Sequence, residues 1–235
     1  MKNLKKICII IPAFNEAEVI AKVIKSIKLE CKKARIDADI VIVDDGSSDN
    51  KPVVASRSGS VVIKHILNTG VGGATATGIK YAKNNGYSLA ATMDADGQHS
   101  SEDVITGIKN LQKNKVDLLI GSRLINPKGM STIKLIGNKG LSYITRLLYG
   151  VNTSDSQSGL RIYSRKSLEK LKWNNNGYEF CSEMLWRAKQ EGLIIAEYPI
   201  KAIYSEYSKS KGQNNWNAIN IVKTIIKHRF MEIFG

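Results

Sequence analysis

The sequence predicts an α/β sandwich in which helices cover a mostly parallel sheet, and three observations support this fold class. Short apolar runs rich in β-branched residues recur in the first 122 residues, as expected of strands buried on both faces. Segments with apolar residues at helical spacing alternate with these runs. Neither an internal repeat nor a Pro/Gly/Ser linker interrupts the alternation.

Five strands and three helices are predicted in this first part of the chain. The run KICIIIP at 6–12 gives the first strand, and four more follow at 39–43, 61–66, 88–93 and 117–121. The first helix spans 16–34, with Asn15 available as its N-cap. The second helix follows the glycine-rich stretch 68–78 and ends near Asn84, and the third spans 101–114 with Ser100 or Ser101 as its cap.

The second half of the chain is less regular. Its pattern predicts helical pieces over 132–149, broken at Gly137 and Gly140, and a helix at 179–191. Strands are predicted at 160–164 and 193–200, and an amphipathic helix at 216–234. We therefore expect one domain over 1–212, with halves 1–122 and 123–212, and a C-terminal amphipathic helix over 213–235.

Composition excludes several classes of protein. Apolar residues make up 43% of the 235 residues and charged residues 24%, which excludes a mainly disordered chain, a collagen-like fibre and a disulfide-built miniprotein. The three cysteines are widely spaced and form no CxxC pair, so we expect buried or free thiols in a reducing compartment. The apolar run at 7–12 is too short for a signal peptide, and no stretch approaches the roughly 20 apolar residues of a membrane span. We expect a cytoplasmic protein that can work at a membrane surface.

The positive charge is unevenly distributed. The net charge is +14, and residues 118–154 contain no acid but five basic residues. Such a field favours phosphate-rich partners, namely nucleotides, nucleic acid or anionic lipid. A solvated basic face that only aids solubility is the alternative interpretation.

Acid-bearing turns follow several predicted strands. Asp94 and Asp96 stand two residues apart at a predicted strand end, where one turn can bring both carboxylates to the same side. Like charges at close range repel, and a divalent cation resolves the conflict. Gln98 can add an amide oxygen, and oxygen ligands suit Mg²⁺ or Mn²⁺ completed by substrate phosphates. A solvated turn with a helix-capping aspartate is the alternative.

Six motifs occur in order over about 160 residues. They are IPAFNE (11–16), VIVDDGSSD (41–49), the glycine loop 68–74, MDADGQH (93–99), GSR (121–123) and DSQSGLR (155–161). Together they resemble the family 2 inverting glycosyltransferases, and within them the dolichyl- or polyprenyl-phosphate sugar synthases. The resemblance implies a Rossmann-like GT-A fold, a nucleotide-sugar donor and Mg²⁺ or Mn²⁺ as cofactor.

The resemblance also implies roles for individual residues. The nucleotide-sugar site would comprise Pro12, Phe14, Glu16, Asp44, Asp45, Asn68, Gly72, Asp94, Ala95, Asp96 and Arg123, and the metal site Asp94, Asp96 and Gln98. The catalytic candidates are Arg123 at the phosphates, Asp155 as a base or acceptor-positioning carboxylate, and Glu183 as the second choice. The acceptor-phosphate candidates are Arg161, Lys209 and Lys211, and the arginine that the family often carries after Tyr204 is absent.

The nature of the acceptor decides what else the reaction needs. A sugar hydroxyl has a high pKa and needs a general base. A lipid monophosphate has a second pKa near 6, by analogy with phosphorylated side chains, and already carries its nucleophilic oxyanion at pH 7. We therefore expect a polyprenyl or dolichyl phosphate acceptor at the inner face of the membrane, with Asp155 orienting it. A separate integral membrane partner and a homo-oligomer are left open.

Four alternatives remain at this point. Within the same enzyme family, the acceptor can instead be a glycan hydroxyl. A basic nucleic-acid-binding module would explain the charge, but no RRM, KH or helix-turn-helix signature is visible, so we expect no nucleic acid. A non-catalytic sugar-nucleotide sensor is the third. A dinucleotide fingerprint at 70–75 is disfavoured because Thr75 takes the third glycine position.

Overall fold

The computed structural model describes residues 6–48, 59–201, 203, 221–227 and 229–230. These residues form a single seven-stranded sheet flanked by helices. The strands are β1 (Ile7–Ala13), β2 (Ala38–Asp44), β3 (Val61–Lys64), β4 (Leu89–Thr92), β5 (Leu118–Ser122), β6 (Arg161–Ser164) and β7 (Ile195–Pro199). All seven lie where the apolar runs predict them.

The strand order is β3-β2-β1-β4-β6-β5-β7. All neighbouring pairs are parallel except those of β6, which runs antiparallel to both β4 and β5. The prediction of a mostly parallel sheet is confirmed. Because β6 is reversed, the loop that precedes it enters at the same edge of the sheet at which β4 and β5 end.

In the described part of the chain, six helices connect the strands. They are α1 (Ala17–Ala34), α2 (Val71–Asn84), α3 (Ser101–Lys113), α4 (Thr132–Tyr149), α5 (Arg165–Lys170) and α6 (Phe180–Gln190). The prediction missed the short α5. Of the predicted C-terminal helix, residues 221–227 and 229–230 are described and are helical.

The predicted break in α4 is wrong, because the helix is continuous. Ser131 caps its first turn by accepting from the backbone N–H of Lys134, and Gly150 ends it in the left-handed conformation. A mid-helix glycine costs about 1 kcal/mol relative to alanine. Burial of Leu141, Thr145 and Tyr149 on the inner side of the helix offsets that cost.

Asn15 does not cap α1. Glu16 occupies the N-cap position without a side-chain cap bond, while Asn15 has a positive φ of 52°. The Asn15 N–H donates to Ser47 Oγ at 3.0 Å, and its Oδ1 accepts from the N–H of Ser48 at 3.1 Å. Asn15 therefore ties the turn after β1 to the turn after β2.

The core lies on both faces of the sheet. Alternate residues of β1 point to opposite sides, so Cys8 and Ile10 join one cluster while Ile9 and Ile11 join the other. Helices α1 and α3 cover the second cluster, and α2, α5 and α6 pack on the first. The three cysteines are free and buried, as predicted. Among the described helices, none has the length and apolarity that a bilayer crossing requires.

Candidate active site

A cavity of about 670 Å³ lies at the edge where β1, β2, β4 and β5 end. In open α/β sheets ligands bind at this carboxyl edge. Its lining includes most of the residues that the motifs single out: Pro12, Phe14, Glu16, Asp45, Asn68, Asp94, Ala95, Asp96, Gln98, Arg123 and Arg161. The strand ends thus gather into one cavity residues that are far apart in sequence.

Asp94 and Asp96 both line this cavity. Burial and the negative charge of Asp94 raise the pKa of Asp96 to about 6, so the two carboxylates lie close enough to sense each other. Burial also acts to raise the pKa of Asp94, but the hydrogen bond from His99 and the charges of two arginines outweigh it and lower that pKa. The Nε2 of His99 lies 3.0 Å from Asp94 Oδ2.

This donor set fits a divalent cation. Within the described ranges no cluster of three His, Cys, Asp or Glu side chains forms a closed metal cage. Two neighbouring carboxylates with open space beside them are what Mg²⁺ or Mn²⁺ uses when substrate phosphates complete its coordination. Gln98 as the source of a further oxygen ligand stays a prediction. Its backbone N–H and its Nε2 both donate to Asp96, at 2.9 and 2.7 Å, so Gln98 orients that carboxylate.

The loop before β6 packs directly on the aspartate turn. In the antiparallel register Arg161 lies opposite Thr92, two residues before Asp94. Thr92 Oγ1 donates to the Gly159 carbonyl at 2.9 Å. A Cβ on Gly159 would collide with the Asp94 carboxylate, so any larger residue there would displace that carboxylate. This contact explains the glycine of the DSQSGLR motif.

Arg123 follows β5 and reaches the cavity, held by Asp155. Its Nε and Nη2 donate to the two oxygens of Asp155, each at 2.8 Å, and its backbone N–H donates to the same carboxylate at 3.1 Å. Burial acts to raise the pKa of Asp155, but the Arg123 guanidinium outweighs it and holds that pKa below its usual range. Asp155 is fully buried and is not part of the cavity wall, so it faces Arg123 and not an acceptor.

Glu197 of β7 holds the loop that carries Asp155. Its carboxylate accepts from Thr153 Oγ1 at 2.6 Å, from the Ser154 N–H at 2.9 Å and from the Asp155 N–H at 3.3 Å. A chain of contacts therefore runs from β7 through the 153–155 loop to Arg123 and the cavity.

Asp45 organises the glycine-rich turn. Its Oδ1 accepts from the N–H and hydroxyl of Thr69, at 2.9 and 2.7 Å, and its Oδ2 from the Gly70 N–H at 2.7 Å. Burial acts to raise the pKa of Asp45, but the bonds from Thr69 outweigh it and lower that pKa. His65 Nδ1 adds a contact of 2.7 Å. Asp44 is buried behind the cavity wall, and its Oδ1 accepts from the Ser47 N–H.

Gly70 and Gly72 of this turn pack on a loop of the second half. The Gly72 N–H donates to the Asn176 carbonyl at 2.7 Å, and a Cβ on Gly72 would come within 2.5 Å of the Asn175 carbonyl oxygen. Gly72 is outside the cavity lining. Gly72 therefore joins the glycine-rich turn at the start of α2 to the 174–177 loop.

Glu183 supports that loop. It is 1% exposed, and its carboxylate accepts from the N–H groups of Asn174 and Asn175 at about 3 Å and from Asn175 Nδ2 at 2.8 Å. It is also outside the cavity lining. The sequence suggested Glu183 as a second base, but its position makes it a loop-holding residue.

Arg161 of β6 contributes to the cavity lining, although only 1% of the residue is exposed to solvent. Its guanidinium donates to the carbonyls of Ser158 at 3.0 Å and Ser156 at 2.8 Å, so most of its donors shape the loop before β6. The other predicted acceptor-phosphate residues, Lys209 and Lys211, lie outside the described residues.

The family is decided by comparison with known proteins. The sequence profile of the family described as Glycosyl transferase family 2 matches residues 8–172, which is most of the chain. The chain belongs to glycosyltransferase family 2. It is therefore an enzyme that transfers a sugar, and the predicted resemblance is confirmed.

Two relatives and one solved structure illustrate the similarity of this glycosyltransferase to known proteins. It is 40% identical to UDP-N-acetylglucosamine–dolichyl-phosphate N-acetylglucosaminyltransferase of Methanococcus voltae, over 89% of this chain and 90% of that protein. It is 29% identical to polyprenol monophosphomannose synthase of Mycolicibacterium smegmatis, over 90% of this chain and 82% of that protein. Glucosyl-3-phosphoglycerate synthase of Mycobacterium tuberculosis, crystallised with Mn²⁺ and UDP, has the same GT-A fold, with a TM-score of 0.70 and 19% identity over 94% and 77% of the chains.

Sequence reasoning missed three residues of the site. His99 contacts Asp94. Its position at the end of the MDADGQH motif is a sequence feature from which its place in the site could have been predicted. His65 and Glu197 lie in segments with no motif, and only the sheet topology brings them to Asp45 and to the 153–155 loop. Both act on loops that carry the motif residues.

Proposed function

We propose that this glycosyltransferase moves a sugar from a UDP- or GDP-linked donor to a polyprenyl or dolichyl phosphate at the cytoplasmic membrane surface. The two relatives described above are named for different sugars but for the same class of acceptor, a long-chain prenyl phosphate. Because both relatives share the acceptor class but not the sugar, they support the class of acceptor more strongly than the identity of the sugar. The Methanococcus voltae protein, at 40% identity over most of both chains, gives the stronger support.

The donor side of the cavity supports a nucleotide sugar. Asp94 and Asp96 would hold Mg²⁺ or Mn²⁺, and Arg123 lines the same cavity. A bound divalent ion supplies charge stabilisation to the departing diphosphate. Arg123 adds a second positive charge in fixed orientation, because the two oxygens of Asp155 accept from its Nε and Nη2.

One observation carries the choice of acceptor. From Arg123 onward, the described residues that line the cavity include Arg123, Lys134 and Arg161 but no Asp, Glu or His. A hydroxyl acceptor needs a general base at this wall. A phosphate acceptor is already ionised at pH 7 and needs cations instead. The charge of this part of the cavity lining supports a lipid phosphate as the acceptor.

The test is a transfer assay with two classes of acceptor. The enzyme is incubated with Mn²⁺ and radiolabelled UDP-N-acetylglucosamine, UDP-glucose or GDP-mannose, with either polyprenyl phosphate or soluble oligosaccharides as acceptor. We expect label in the organic phase, released by mild acid, with one of the donors. Label that enters only the oligosaccharides would assign a hydroxyl acceptor and reject the proposal.

A matched pair of variants separates the site from its surroundings. Asp96→Asn should abolish transfer, whereas Glu191→Gln, at an exposed position at the end of α6, should leave it unchanged. Equal transfer by wild type and Asp96→Asn would remove the aspartate pair from the reaction.

A further inference from the structure

The outer side of α4 is apolar where a helix on a globular protein is normally polar. Ile133, Ile136, Tyr143 and Leu147 are 71%, 66%, 65% and 69% exposed. They recur at helical spacing and so form one stripe along the helix. Large apolar side chains in a contiguous exposed stripe mark an interaction surface.

The inner side of α4 is fully used by the protein. The ring of Tyr149 lies 5.8 Å from that of Trp186 in α6, and Thr145 Oγ1 lies 2.9 Å from Ser182 Oγ. The Ser142 hydroxyl accepts from the Ser156 N–H at 3.0 Å. The helix is therefore anchored in one orientation, and its apolar stripe cannot rotate inward.

Cations flank the stripe. Lys139 and Arg146 are exposed on the same side of the helix, and in the part of the chain that the structure describes neither forms an ion pair. No acid occurs anywhere between residues 118 and 154. An apolar stripe beside cations, without acids, is complementary to the interface of an anionic bilayer.

The stripe begins at the mouth of the active-site cavity. Ile133 and Lys134 both line the cavity, and Ile133 is also part of the exposed stripe. Phe14 and Tyr178, which line the cavity too, are 44% and 42% exposed. A surface that rests on the α4 stripe therefore lies beside the cavity opening.

We propose that the outer face of α4 (Ile133, Ile136, Lys139, Tyr143, Arg146 and Leu147) docks the enzyme on an anionic lipid membrane. The docking itself is independent of the chemistry, and only its purpose, delivery of a membrane-embedded prenyl phosphate to the cavity, rests on the proposed function. A second copy of the chain is a poorer occupant, because a two-fold contact through this face would bring its cations together. The chain segment 204–220 carries one acid and two lysines, so it offers no charge complementarity.

The test is co-sedimentation of the full-length enzyme with lipid vesicles. We expect binding to vesicles of phosphatidylcholine with phosphatidylglycerol and much weaker binding to phosphatidylcholine alone. The double variant Ile136→Glu/Leu147→Glu should lower binding at least about tenfold, since it places acids in the apolar stripe. Lys139→Gln/Arg146→Gln should lower binding to the anionic vesicles about 30-fold, from about 1 kcal/mol per cation. Leu29→Glu, at an exposed apolar position on α1, is the matched control and should bind as wild type does.

A second readout separates docking from catalysis. The Ile136→Glu/Leu147→Glu variant should keep wild-type transfer to a short, water-soluble prenyl phosphate and lose transfer to vesicle-embedded polyprenyl phosphate. Loss with both acceptors would show damage to the site and reject the docking role. Vesicle binding that the substitutions do not change would also overturn the proposal. A wild-type dimer that the substitutions split, or protection of the stripe by segment 204–220 in cross-linking, would assign the face to another occupant.

Discussion

The turn after β4 and the loop before β6 meet at the same cavity but use their carboxylates in opposite ways. In the turn, Asp94 and Asp96 both line the cavity, and burial together with the negative charge of Asp94 raises the pKa of Asp96 to about 6. In the loop, Arg123 encloses Asp155, and the pKa of this carboxyl is lowered in spite of its burial. The carboxylates of the turn are available to a cation, whereas the carboxylate of the loop is used to hold Arg123. The hydrogen-bond partners of a carboxylate, and not its place in a motif alone, therefore indicate its role near the cavity.

The largest effect on stability is expected from Asp155→Asn. The substitution leaves Arg123, whose side chain is only 15% exposed, without its charged partner. We expect a loss of about 3 kcal/mol of unfolding free energy and at least about a hundredfold loss of kcat, because the arginine is no longer oriented. Because the folded pKa of Asp155 is depressed, its stabilisation is present above the unfolded pKa of about 4 and is lost as the pH falls through the lower folded value. Chemical denaturation and steady-state kinetics measure the two losses.

The pH profile of this variant distinguishes positioning from base catalysis. A positioning role predicts the same fractional loss of kcat across roughly pH 6 to 9. Activity that returns as the pH is raised would assign Asp155 to deprotonation of the acceptor, and the contrast between turn and loop would fail.

A smaller effect is expected from Glu183→Gln. The neutral amide keeps the size of the side chain but weakens the bonds to the Asn174 and Asn175 N–H groups, each charge-assisted in the wild type. We expect a loss of about 2 kcal/mol of stability. The KM for the donor should rise, because the 174–177 loop supports the glycine turn through the Asn176 carbonyl. If kcat falls a hundredfold at unchanged stability, Glu183 belongs to the chemistry.

Glu197→Gln should act more weakly still. The 153–155 loop keeps part of its hydrogen bonding to the amide oxygen, so we expect a loss of about 1 kcal/mol. The effect on kcat, a few-fold decrease, should be absent in an Asp155→Asn background, since Glu197 acts through Asp155. A double-mutant cycle measures this coupling, and full additivity would break the chain of contacts from β7 to Arg123.

The smallest effect on stability is an increase, expected from Asp96→Asn. The folded pKa of Asp96 lies near 6, above its unfolded value of about 4, so the charged carboxylate destabilises the metal-free fold above pH 6. Asp96→Asn should therefore raise the stability of the enzyme in EDTA by about 1 kcal/mol at pH 7, after allowance for solvent screening. The gain should vanish as the pH falls to about 4. Thermal unfolding across this range measures it, and destabilisation at pH 7 would contradict the charged pair.

Sequence predicted the sheet well because buried strands appear as continuous apolar runs. It also predicted the Asp94–Asp96 turn, since a strand end fixes where the following residues lie. It could not predict that Asp155 pairs with Arg123, because the 32-residue separation is closed only by the reversed direction of β6. The sequence suggested Glu183 as a catalytic base because it shows the type of side chain. It does not show that backbone N–H groups bond to this carboxylate.

The same limit applies to α4. Gly137 and Gly140 have low helix propensity, yet a Cβ built at either position would contact none of the residues that the structure describes. Tertiary packing of the inner residues keeps the helix continuous, and the sequence pattern alone does not show which apolar residues are inside.

Metal-dependent nucleotide binding tests the central contrast most directly. Isothermal titration of UDP and GDP, with Mn²⁺ and with EDTA, compares the wild type with Asp96→Asn and Asp155→Asn. We predict binding of one nucleotide that requires Mn²⁺, its loss in Asp96→Asn, and its retention within about tenfold in Asp155→Asn. Nucleotide affinity that is the same in EDTA, or that survives Asp96→Asn unchanged, would contradict the assignment of the turn as the cation site.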